Sequence, residues 1–109
     1  MGSLIVGVAG VLVAVAIALP VPAHAVRACG TFTADGAAVH AKVIRGSATC
    51  ATARSILRRY LTSTAPCSGS GCARSAGGWT CSSASVTAFP RLASCRRRGV
   101  VIAAYSFGD

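Results

Sequence analysis

The sequence predicts a small α+β domain in which one helix packs on a small antiparallel sheet, in the order β-α-β-β-β, with disulfides stapling the layers. Three observations predict it. Residues 46–64, "GSATCATARSILRRYLTST", place apolar side chains at helical spacing. Short β-branched or aromatic segments bounded by Gly, Pro and Ser lie on both sides of that stretch. All six cysteines, Cys29, Cys50, Cys67, Cys72, Cys81 and Cys95, fall beyond residue 28. An even number of cysteines in a short exported chain implies a disulfide framework.

Export is expected from the first 25 residues. Residues 4–19 form an unbroken apolar run, followed by Pro20, Pro22 and Ala23-His24-Ala25. An apolar core, a helix-breaking proline and small residues at −3 and −1 describe a secretory signal peptide over residues 1–25, cut after Ala25. No Lys or Arg precedes Arg27, so an uncleaved membrane anchor is the alternative. The run is shorter than the ~20 residues a span needs. A secreted, extracellular location is the expectation, and membrane attachment the second.

The next elements are read in chain order. Residues 26–37, "VRACGTFTADGA", read as an extended lead-in with a turn at Asp35-Gly36. The small α+β domain is expected over 38–107. Its first strand is "AVHAKVIRG" (38–46), with Val39, Ala41 and Val43 on one face and His40, Lys42 and Ile44 on the other. Gly46-Ser47 breaks it, and Ser47 is a suitable N-cap. The helix is expected from about Ala48 to Thr62. Cys50, Ala53, Leu57, Tyr60 and Leu61 form one stripe with Ile56 at its edge; Arg59 points away, and Arg54 and Arg58 flank the stripe. Residues 63–78 are rich in Gly and Ser and read as a loop. "GWTCSSAS" (78–85) and "RLASCRRR" (91–98) read as strands joined near Phe89-Pro90. Gly99 turns the chain into "VVIAAYSF" (100–107), the expected central strand. Leu57, Tyr60 and Leu61 are expected to pack on Val43, Trp79, Val101, Ile102 or their neighbours.

Charge narrows the function. Eleven Lys and Arg face two Asp and Glu, for a net charge of +9. Ten of the eleven are Arg, the acids are Asp35 and Asp109, and there is no Glu. A field of this sign draws anionic surfaces such as lipid headgroups, wall polymers or nucleic acid; it also keeps an exported protein soluble. The basic residues form two groups in sequence: Arg54, Arg58 and Arg59 on the helix, and Arg96, Arg97 and Arg98 at a strand end. Aromatic residues do not interleave with them as in a single-strand stacking platform. Export also argues against nucleic acid. The sequence names no partner; an anionic envelope surface and another protein are the candidates that fit charge and compartment.

Groups for catalysis are scarce. His40 is the one histidine beyond residue 25, so a serine triad would have to combine it with Asp35, and no G-x-S-x-G elbow is present. A Cys–His pair would have to use Cys50 and His40. The helix N-terminus would favour a thiolate there, but in an oxidising compartment Cys50 is expected in a disulfide. Cys67, Cys72, Cys81 and Cys95 could compose a zinc set, yet exported thiols pair with one another. No catalytic residue, metal or cofactor is assigned, and the chain is not expected to be an enzyme. A small thiol enzyme built on Cys50 is the remote alternative.

"GSATCATARSILRRYL", "GWTC" and "CRRRGVVIAAYSF" together resemble a family of small exported domains of high-GC Gram-positive (actinobacterial) species. Those domains carry a G-S-x-x-C-x-x-A-R helix, a W-x-C strand and a final C-x-R-G strand. The resemblance covers about residues 38–107. It implies a fold and a compartment but no activity, and the loop carrying Cys67 and Cys72 looks like an insertion.

Cysteine pairing is then expected as follows. Cys67 and Cys72 lie close together in a Gly/Ser loop and can bridge locally. Cys81 and Cys95 would oppose each other in their hairpin, so a direct bond there is possible. Cys50, on the buried helix face, needs a partner in the sheet, which leads to Cys81 or Cys95, with Cys29 taking the other. The C-x-R-G resemblance favours Cys50–Cys95 and Cys29–Cys81. The sequence thus leads to an exported, disulfide-stabilised, cationic binding module, with a membrane- or envelope-active protein as the alternative.

Overall fold

The computed structural model describes residues 26–107. The signal segment expected over 1–25 lies outside the described residues. The chain forms β1 (Arg27–Ala34), β2 (Ala37–Arg45), α1 (Cys50–Thr62), β3 (Arg74–Ala76), β4 (Trp79–Ser83), a 3₁₀ turn (Val86–Ala88), β5 (Arg91–Arg97) and β6 (Val100–Tyr105). The strands make one antiparallel sheet in the order β1-β2-β6-β5-β4-β3. The fold is α+β, with the single helix on one face of the sheet and β6 inside it between β2 and β5.

Two strands were not expected. The lead-in 26–37 is β1, paired with β2 through a two-residue turn. Asp35 and Gly36 have φ of 50° and 83°, the left-handed pair that a type I′ hairpin requires. The strand escapes a period-two reading because it is bulged between Ala28 and Thr31. Gly30, with φ of 77°, takes the extra position. The buried residues therefore fall at Cys29, Phe32 and Ala34, and the alternation is broken in the middle. The second correction is β3, three residues inside the expected loop 63–78. It is paired by Arg74↔Cys81 and Ala76↔Trp79.

The helix starts slightly later than expected. Thr49, not Ser47, is the N-cap: its hydroxyl accepts from the Thr52 backbone N–H at 3.0 Å. Ala53, Ile56, Leu57 and Tyr60 are buried, and Leu61 is half-buried against them. They meet Val43, Ile102, Trp79, Ala93 and Ala104 from the sheet. Val101 is not part of this core. It lies on the opposite face of β6, and Val100 packs against the core instead.

The disulfides are Cys29–Cys50, Cys67–Cys72 and Cys81–Cys95. The expected Cys50–Cys95 and Cys29–Cys81 pairs are corrected. Cys81 and Cys95 are register partners on β4 and β5, with Cα atoms 4.0 Å apart. They satisfy each other inside the sheet. Cys29 belongs to a strand of the same sheet, so its bond to Cys50 staples the helix to the sheet at β1. The Gly30 bulge breaks the alternation of β1, so nothing in the spacing marks Cys29 as a sheet residue.

Candidate functional site

None of the enzyme-like constellations assembles among the described residues. All six cysteines are bonded. No group of three His, Cys, Asp or Glu is placed to hold a metal ion among the described residues. His40 stands on the sheet face away from the helix, with its ring 3.9 Å from that of Phe107.

The arginines divide by what their guanidinium groups touch. Four of them hold backbone carbonyls. Arg27 donates to Ala48 O at 2.9 Å. Arg54 donates to Cys29 O at 2.7 Å, and Arg58, one helical turn on, donates to Thr33 O at 3.3 Å while lying over the Phe32 ring. Both acceptors belong to the edge strand β1. Arg74 is the most occupied. It donates to Tyr60 O at 2.8 Å, Ser63 O at 3.1 Å and Ala65 O at 2.9 Å. Its guanidinium stacks 4.7 Å from the Tyr60 ring centre. The last carbonyls of a helix have no partner within it, and Arg74 supplies one from β3. The Tyr60 hydroxyl extends the same cluster, donating to Cys72 O at 2.7 Å and lying 2.9 Å from the Ser83 hydroxyl.

Five of the other six arginines gather at one end of the sheet, and Arg91 stands at the opposite end, at the start of β5. The β3–β4 turn is Gly77-Gly78, with φ of 56° and 89°. A Cβ built on Gly77 would lie 3.2 Å from Arg59 Nη1, and one on Gly78 would lie 3.9 Å from Arg97 Nη1. A helix arginine and a strand arginine therefore converge on this turn. The next hairpin turn, Arg98-Gly99, is at the same end. Gly46 packs against it, since a Cβ there would touch Gly99 O and Val100. Arg45 and Arg96 are both register partners of Val101, one on each side. Arg45, Arg59, Arg96, Arg97 and Arg98 thus share one end. Asp35, the one carboxylate among the described residues, is at the far end of β2. Ten residues separate it from Arg45, about 30 Å along a strand.

Of the two basic groups read from the sequence, Arg96–Arg98 remains together and gains Arg59 and Arg45. Arg54 and Arg58 are committed to β1. Arg45 precedes the helix by several residues and is separate from both groups in sequence; only the β2–β6 pairing brings it to Val101.

The sheet face turned away from the helix carries His40, Lys42 and Ile44 on β2 and Val101, Ala103 and Tyr105 on β6. Lys42 Nζ lies 4.5 Å from the Tyr105 ring centre. Ala103 is buried between its register partners Lys42 and Ser94. No helix of the described residues is long and apolar enough to cross a membrane. No protein-family profile, curated protein or solved structure matches the chain, so the resemblance drawn from its GSATC, GWTC and CRRRG stretches stands on those residues alone.

Proposed function

We propose that this chain is an exported, disulfide-stapled binding module whose contact surface is the arginine end, and that its partner is a polyanion of the cell envelope. One observation carries the reading: Arg59 and Arg97 converge on the Gly77-Gly78 turn, with Arg45, Arg96 and Arg98 at the same end and Asp35 at the other. Guanidinium groups present forked donors that match phosphate and carboxylate oxygens. Five of them, with no carboxylate nearby among the described residues, concentrate positive potential at one place. The disulfides and core hold the turns that display them.

Soluble polyphosphate is a suitable probe, because it carries the charge without a lipid. Binding is expected to weaken steeply with added salt, as released counterions dominate such contacts. The double variant Arg59→Gln/Arg97→Gln is expected to weaken binding about tenfold or more and to flatten the salt dependence. Arg54→Gln/Arg58→Gln should weaken it far less, because those side chains serve β1. Equal losses from the two pairs would reduce the reading to bulk charge and reject the arginine end as the site.

A further inference from the structure

The end of the sheet opposite the arginines carries a different surface. Among the described residues the exposed large apolar side chains are Val26, Val86, Phe89 and Phe107. The last three collect at this end, with 89%, 57% and 54% of their surfaces exposed. Val86 and Phe89 bracket the 3₁₀ turn between β4 and β5. The Ser106 backbone N–H donates to Pro90 O at 2.8 Å, so Phe89 and Phe107 each sit one residue from that tie.

Part of the tip's polar complement is used internally. Ala88 N–H donates to Ser85 O at 2.9 Å, Phe89 N–H donates to Val86 O at 3.2 Å, and Pro90 has no N–H. The Ser85 and Thr87 hydroxyls pair at 2.8 Å. Each such bond lowers the cost of bringing those groups to the headgroup boundary. Behind the tip stand cations. Arg91 is the register partner of Tyr105, and Lys42 covers the Tyr105 ring. They outnumber the one carboxylate at this end, Asp35.

We infer that this tip seats in the interfacial layer of a bilayer bearing anionic lipids. Val86, Phe89 and Phe107 enter among the upper acyl carbons, and Arg91 and Lys42 face the headgroup charge. Val86 and Phe89 on the turn, with Phe107 beyond β6 and lying against the His40 ring, do not make the extensive patch that protein partners share. Aromatic rings with cations behind them match the headgroup boundary. The inference uses residues remote from the arginine end and is independent of the polyanion reading.

The test uses the full chain after signal removal, with vesicles of phosphatidylcholine and phosphatidylglycerol at roughly 0.15 M salt, where charges beyond ~8 Å are screened. Phe89→Ala/Phe107→Ala is expected to lower vesicle partitioning about tenfold while leaving polyphosphate binding unchanged. Phe89→Trp should show a blue-shifted emission quenched by brominated lipid, whereas the buried Trp79 of the parent protein should not be quenched. Asp35→Asn should strengthen partitioning. Three outcomes overturn the inference: unchanged partitioning of the double alanine variant, no quenching of the new tryptophan on bound protein, or self-association through the tip in sedimentation. Loss of polyphosphate binding alone would sink the previous reading and leave this one standing.

Discussion

Arg74 does for the helix C-terminus what water does in an exposed helix. Its guanidinium reaches three carbonyls and covers the Tyr60 ring, and its Nε is buried with no partner among the described residues. Lysine could not span the same three acceptors. Arg74→Lys is therefore expected to cost about 1–3 kcal/mol, read by chemical denaturation, whereas Arg59→Gln should stay within about 0.5 kcal/mol. Leu57 is fully buried, and Leu57→Ala is expected to cost about 2–5 kcal/mol. A surface-sized change would contradict its place in the core. Leu57 and Tyr60 could be placed from helical spacing alone. Arg74 could not, because its acceptors lie on residues that only the folded loop brings near.

At the scale of elements, legibility follows regularity. β2, α1 and β6 keep their periods, so their buried faces could be read. β1 loses its period at the Gly30 bulge and β3 is too short to have one. With its period broken, β1 gives Cys29 no visible place in the sheet, and the Cys29–Cys50 pairing is hidden with it. Two measurements check these elements. Peptide mapping without reduction should return Cys29–Cys50, and replacing both by Ala should cost ~2–4 kcal/mol; a Cys50–Cys95 peptide would overturn the topology at β1. Gly77→Ala puts a Cβ 2.7 Å from Ile56 Cδ1 on a backbone with φ of 56°. That combination of contact and strain is expected to cost on the order of 1–3 kcal/mol. It should also disturb polyphosphate binding, because Arg59 and Arg97 meet at that turn.

For the molecule as a whole, the candidate site was legible as composition but not as place. The sequence shows a cationic chain; which arginines remain for a partner depends on Arg27, Arg54, Arg58 and Arg74 being held by carbonyls. The same imbalance has a consequence for stability. With a net charge of +9, the compact state repels itself. Arg45 and Arg96 flank β6 two strand spacings apart, about 10 Å between backbones, close to the Debye length at 0.1 M salt. Each such pair costs only about 0.4 kcal/mol in water, but the arginine end holds several. Sodium chloride raised from about 0.01 to 0.5 M should therefore increase stability by on the order of 1 kcal/mol, or about 4–8 °C in Tm for a domain of this size. Over the same range polyphosphate binding should fall steeply. The two slopes have one origin and opposite signs. Arg59→Gln/Arg97→Gln should reduce both together. A variant that loses the binding slope while keeping the full stability slope would show that self-repulsion resides elsewhere in the chain.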